Sequence, residues 1–255
     1  MLPYVPQPVI AGVTAFEICL GLGTVTGFLI FDKRATRLGW SSRDALSLVL
    51  WIMLVGFVSS HVLDALLYYP EAVRQNPWLL LQVWGSMSSF GGLAGGMATA
   101  LFLCWKRKLG AFKSLQLFDL MAYGFPFAWI FGRLGCALAH DHLGVYSQSF
   151  WAVDFPGGAR FDLGLLEWFA TLIIAALWLW LDRRPRANGF YLALFFALYG
   201  PVRFSLDVLR TDDQRYLGWT PGQYASVAGT LAACAFLLRQ AADSRKPAGA
   251  PTTNA

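Results

Sequence analysis

Three arginines stand where so apolar a chain has little reason to keep charge. Arg133 interrupts the run YGFPFAWIFGRLGCALAHDHLG (residues 123–144), beside Gly132 and Gly135. Arg203 and Arg210 bracket Asp207 in YGPVRFSLDVLRTDDQ (199–214), and this i, i+4, i+7 spacing stacks the three along one helical face. A guanidinium is planar, forked and permanently charged, which suits it to phosphate or carboxylate. Two helices that each present an arginine therefore make a clamp for a phosphate head group. His140, Asp141 and His142 follow two turns after Arg133. Imidazole exchanges a proton near neutral pH, and Asp141 can orient a neighbouring histidine.

Plainer readings of the same residues compete with these. Snorkelling fails for Arg133, because it lies about seven residues, or ~10 Å of helix, below the end of its run. No acid lies within one helical turn of it in sequence. Arg203, Asp207 and Arg210 can be a self-satisfied pair plus one further cation, and HDH can be a solvated loop. Glu17 in the first apolar stretch reads as a protonated or locally hydrogen-bonded acid. His61 and Asp64, three apart, form either an interfacial polar patch or the wall of a polar cavity. SSFGGLAGG (88–96) offers closely approachable backbone at Gly91 and Gly92, although small-residue helix packing explains the pattern equally well. Cys19, Cys104 and Cys234 lie in apolar runs and have neither disulfide nor metal spacing. A metal on His140, Asp141 and His142 alone has poor geometry, so none is expected.

The elements that must position these groups are membrane helices. Apolar stretches at 9–31, 45–69, 78–104, 115–138, 163–181, 188–209 and 221–238 each approach the ~20 residues that cross a bilayer. Basic residues alternate strictly between the connections. Lys33, Arg34, Arg37 and Arg43 follow the first stretch; Lys106, Arg107, Lys108 and Lys113 follow the third. Arg183, Arg184 and Arg186 follow the fifth, and Arg239, Arg245 and Lys246 follow the seventh. That leaves six of the 20 Lys and Arg for the opposite side and the sixth stretch. The positive-inside rule then predicts an all-α integral membrane protein of seven transmembrane helices, N-terminus outside and C-terminus cytoplasmic.

Composition agrees: 56% hydrophobic, 14% charged residues and a mean hydropathy of +0.49 lie far from a soluble domain. The net charge of +5 is explained by cytoplasmic loops facing anionic lipid, so nucleic acid is not an expected partner. No basic leader region precedes the first stretch, which reads as a retained span. The expected organisation is one polytopic membrane domain over 1–240 and a disordered cytoplasmic tail over 241–255. The longest outer connection, HDHLGVYSQSFWAVDFPGGARFDLG, mixes aromatics, acids and glycines in a way unusual for a mere connector.

Taken together, GRLG (132–135), AVDFP (152–156), YGPVRF followed by Asp207 and Arg210, and Gly222-Gln223 resemble the prolipoprotein diacylglyceryl transferases of bacterial inner membranes. The likeness runs over about residues 10–238. It implies transfer of diacylglycerol from phosphatidylglycerol to the thiol of a lipobox cysteine in an exported preprolipoprotein, with membrane lipid as surroundings and no cofactor. The family's motif arginine falls on Arg133. Its YGxxRFxxE run falls on Tyr199, Arg203 and Asp207, with the following arginine at Arg210. The acid and glycine late in its signature fall on Asp141 and Gly144, and its loop glutamate falls on Glu167. Three positions depart. The family's His-Gly-Gly is Phe90-Gly91-Gly92 here, its signature Asn is Cys136, and its His-Pro-Ser-Gln is Phe161-Asp162-Leu163-Gly164.

That chemistry breaks a glycerol carbon–phosphate oxygen bond, so arginines would stabilise the departing phosphate. It also needs a base to convert a thiol into a thiolate. With phenylalanine in place of the family's histidine, His140 or His142 becomes the expected base, ahead of His61. The alternative from another class is a non-catalytic phospholipid-binding membrane protein that kept the arginine clamp and lost the base.

Overall fold

Local signals in the sequence set where each helix begins. Thr14 and Glu17 form a reciprocal cap: the Glu17 carboxylate accepts from the Thr14 amide at 2.7 Å and the Thr14 hydroxyl at 2.8 Å. Glu17 is thus a solvent-exposed helix start and not a buried acid. The same box recurs at Thr220 and Gln223, where the Thr220 amide donates to Gln223 Oε1 at 3.0 Å and the Gln223 amide to Thr220 Oγ1 at 3.1 Å. Ser41 and Asp162 cap two further helices through single side-chain oxygens.

This computed structural model describes residues 1–83, 85, 87–211 and 215–243, without the side chains of Tyr68, Ser89 and Phe90. The expected tail at 241–255 lies outside the described residues from 244 onward, as does the side chain of Phe90. Strands β1 (Leu2–Pro3), β2 (Val9–Ile10) and β3 (Val13–Thr14) precede α1 (Ala15–Arg37). Helices α2 (Ser42–Tyr68) and α3 (Pro70–Gln75), a 3-10 turn (Pro77–Leu81), α4 (Ser89–Lys106) and α5 (Ala111–Ala139) follow. Then come β4 (Leu143–Tyr146), β5 (Ala152–Phe155), β6 (Gly158–Asp162), α6 (Leu163–Leu181), α7 (Phe190–Val208) and α8 (Pro221–Asp243).

The chain is mostly helical, and the long helices coincide with the apolar stretches of the sequence. Five of them, α1, α2, α6, α7 and α8, are long and apolar enough to cross a membrane. Two stretches start later than expected. Residues 9–14 form the β2–β3 hairpin, because the backbone turns at Ala11 and Gly12 with φ of 51° and 81°. The described residues between 78 and 88 are not part of α4: Pro77 opens a 3-10 turn capped by Asn76, and Ser88 caps a new helix. The helical reading also missed a four-stranded sheet of order β1-β5-β6-β4, built from the long connection between α5 and α6 and the N-terminal strand.

The chain divides into two compact units, Met1–Leu29 with Phe118–Ala255, and Ile30–Leu117. In the second, α2 and α4 pack through small residues: a Cβ on Gly91 would lie 2.8 Å from the Ser59 carbonyl, and one on Gly56 would lie 3.2 Å from the Gly92 carbonyl. His61 is buried there and donates through Nε2 to the Leu79 carbonyl at 2.8 Å. In the first unit, a Cβ on Gly23 would lie 2.7 Å from the Ala128 carbonyl and one on Gly27 2.8 Å from the Ala128 side chain, so α1 sits hard against α5. Gly164 lets the start of α6 touch Cys136 and Ala137 at the end of α5, with would-be Cβ contacts of 3.0–3.1 Å. That contact sets the register of everything in the site.

Candidate active site

One helical turn beyond Gly164, Glu167 meets Arg133. The carboxylate Oε1 lies 2.9 Å from Arg133 Nε, and both side chains are almost fully buried. Trp129, one turn before Arg133 on the same face of α5, does two things. Its ring lies under the guanidinium at 4.4 Å, and its indole N–H donates to Glu167 Oε1 at 3.2 Å. The Tyr199 phenol of α7 donates to the same oxygen. Glu167 Oε2 lies 3.8 Å from Arg203 Nη1, so one carboxylate ties α5 to α7.

Asp207 organises the other arginines. Its Oδ1 lies 3.0 Å from Arg203 Nη2 and 3.2 Å from Arg210 Nε, and its Oδ2 accepts from the Thr220 hydroxyl at 2.9 Å. The glycine after Pro221 is required by this arrangement, since a Cβ on Gly222 would stand 2.5 Å from Asp207 Oδ2. Gln223 fixes the other side by donating to the Phe204 carbonyl at 3.3 Å. Asp207 is fully buried, whereas Arg203 and Arg210 keep 22% and 17% of their side chains exposed against 5% for Arg133. The Arg203 and Arg210 side chains therefore keep some exposure around a buried carboxylate frame, whereas Arg133 is sealed.

The end of α5 carries the remaining groups. Arg133 Nη1 donates to Cys136 Sγ at 3.7 Å. His140 takes up a left-handed backbone with φ of 53°, which ends the helix and turns Asp141 and His142 back toward it. His142 Nε2 lies 3.8 Å from Asp141 Oδ1. Burial, opposed by Asp141 and aided by Arg133 and Arg210, holds the His142 pKa below its usual 6.5. It is therefore neutral at pH 7. His140 has a different setting. Its Nδ1 lies 2.6 Å from Asp162 Oδ2 and its Nε2 donates to the Val5 carbonyl at 2.9 Å. A carbonyl only accepts, so Nε2 carries a hydrogen and has no lone pair to offer. Burial raises the Asp162 pKa, against the lowering contacts from His140 and Leu165. Gly144 packs where a Cβ would meet the Leu209 carbonyl and the Leu163 side chain at 3.1 Å, holding β4 against the end of α7.

Most of the groups singled out in the sequence thus lie around one centre: Arg133, Glu167, Tyr199, Arg203, Asp207 and Arg210, with Asp141, His142 and Gly144 at its edge. Gly91 and Gly92 lie in the other unit, where they serve α2–α4 packing. The profile of prolipoprotein diacylglyceryl transferases matches residues 9–239. The chain belongs to the prolipoprotein diacylglyceryl transferase family. A phosphatidylglycerol–prolipoprotein diacylglyceryl transferase of Chromohalobacter salexigens is 32% identical, covering 94% of this chain and 96% of its own. The enzymes of the same name from Pseudomonas paraeruginosa and Pseudoalteromonas atlantica are 30% and 29% identical, covering 85% and 80% of this chain and 85% and 73% of their own. With its apolar helices, this family member is a multi-pass membrane protein.

Sequence reasoning missed three contributors. Trp129 was signalled by an aromatic four residues before a buried arginine. Thr220 was signalled by the Thr-x-x-Gln box that opens α8. Asp162 occupies a family motif that it does not match, and only the fold pairs it with His140.

Proposed function

We propose that this chain transfers a diacylglyceryl group from phosphatidylglycerol to the lipobox cysteine thiol of a preprolipoprotein, a step of lipoprotein maturation. The observation that carries this reading is the frame of Glu167 and Asp207, which holds three arginines, two of whose side chains stay partly exposed. Fixed cations in a water-poor site stabilise charge that develops on a departing phosphate without reorganising. Arg203 and Arg210 take the phosphate oxygens, and Arg133 holds Glu167, and through it Arg203, in place. The acceptor thiolate attacks the glycerol carbon, the carbon–oxygen bond breaks, and its electron pair leaves on glycerol phosphate. The thiol proton goes to His142, a neutral imidazole whose side chain is about a quarter exposed, while His140 holds the Val5 carbonyl.

In this reading the protein spans the bacterial inner membrane seven times, with residues 1–240 as one polytopic domain, the N-terminus outside and the C-terminus cytoplasmic. The purified protein should transfer radiolabelled diacylglycerol from phosphatidylglycerol to a lipobox peptide, and it should rescue cells depleted of their own transferase. A chain that binds phosphatidylglycerol but transfers nothing, with Phe90→His equally silent, would instead be the lipid-binding relative.

A further inference from the structure

Adjacent residues such as Asp141 and His142 make a weak metal site by themselves, because their side chains diverge. The left-handed turn at His140 changes this by folding both back over the last turn of α5, where Cys136 points up from the helix. The sulfur of Cys136, a carboxylate oxygen of Asp141 and a ring nitrogen of His142 all lie within 4.8 Å of one another. Asp141 Oδ1 and His142 Nε2 are 3.8 Å apart. Metal–ligand bonds of about 2.0–2.3 Å in tetrahedral zinc sites set ligand separations of roughly 3.3–3.8 Å, so small side-chain rotations close the set. No other trio of His, Cys, Asp or Glu among the described residues is brought this close.

We propose that Cys136, Asp141 and His142 form a three-ligand site for a zinc-class divalent cation. Thiolate, carboxylate and neutral imidazole are the donor set that a borderline-soft ion prefers. One thiolate and one carboxylate neutralise the dication, so the occupied site carries no net charge beside Arg133. Arg133 Nη1 already donates to Cys136 Sγ, which orients the sulfur. The thiol proton is released to solvent on binding. Asp141 is exposed and His142 is about a quarter exposed, which gives the ion its route in and leaves a fourth position for water. Resting on the reading of His142 as base, occupancy removes the lone pair that would take the acceptor's proton. Zinc-class ions are then reversible inhibitors.

Cadmium is the direct probe, because its bond to a thiolate produces an ultraviolet charge-transfer band. One equivalent of Cd²⁺ added to the full chain in detergent should produce that band, and Zn²⁺ should displace it. The band should vanish in Cys136→Ala and in the near-isosteric Cys136→Ser, and persist in Cys234→Ala, which removes the exposed cysteine. Asp141→Asn should weaken Cd²⁺ binding about tenfold or more. Transfer activity should fall as the band grows and return with chelator. No band, or a band that survives in both Cys136 variants, overturns the site. A Cys136-dependent band with undiminished transfer keeps the site and overturns His142 as the base.

Discussion

The helices α5, α6 and α7 carry two polar clusters, and the difference between them separates structure from chemistry. At one end, Asp182 accepts from the Tyr123 and Tyr191 phenols at 2.8 and 2.9 Å, and the Leu192 amide donates to Asp119 at 2.9 Å. Trp178 and Tyr191 are sealed there, with no exposed surface. At the other end, Arg133, Arg203 and Arg210 surround Glu167 and Asp207. In the first cluster, two phenols and a backbone amide meet carboxylates in a closed setting. The second assembles three cations on two buried anions and leaves two arginine side chains partly exposed. Buried charge is costly unless paired, and arginine side chains that keep some exposure are ones an anion can still reach.

The largest effect should come from the sealed arginine. Arg133→Ala takes from buried Glu167 its closest cation and leaves Arg203 to hold the carboxylate at 3.8 Å, so transfer should fall by at least about 10³-fold, assayed at matched protein levels in membranes. Arg133→Lys should recover little, because an ammonium cannot lie flat on Trp129 while meeting Glu167. Near-normal transfer by the lysine variant would mean that charge alone matters there.

Replacing the base should cost slightly less and change the shape of the response. His142→Ala should lower transfer by about 10²–10³-fold. Because burial holds the His142 pKa below its usual 6.5, the acid limb of the activity profile should have its midpoint below pH 6.5. His142→Ala should lose that acid limb, whereas His140→Ala should keep it. If the His140 variant alone loses the limb, the two histidines exchange roles.

These contrasts also mark what the sequence could reveal. Arg133, Arg203, Asp207 and Arg210 were legible because charge in an apolar run stands out and helical spacing places it on a face. The pairing of Arg133 with Glu167 was not legible, since 34 residues and a sheet separate them and only the close approach at Gly164 brings them together. The sheet itself was hidden because its strands of two to five residues alternate too briefly to register. Two histidines flanking one acid looked interchangeable in sequence. The backbone reversal at His140 is what gives them different partners.

The smallest effect should come from the lock at the far end, and it should touch stability alone. Tyr191→Phe keeps the ring packed against Trp178 and Tyr123, with centroids 5.7 and 4.8 Å apart, and deletes only the hydroxyl. Asp182 retains the Tyr123 phenol, so the carboxylate is not stranded, and the loss should be about 1 kcal/mol. Thermal unfolding in detergent should register this as a modest drop in Tm, while kcat and KM for lipid transfer stay within twofold of the parent. A Tyr123→Phe/Tyr191→Phe double variant should lose more than the sum of the singles, because Asp182 is then left without either phenol. A fall in kcat out of proportion to the fall in Tm would show that the two ends of these helices are coupled, and that the lock sets the geometry of the arginine frame.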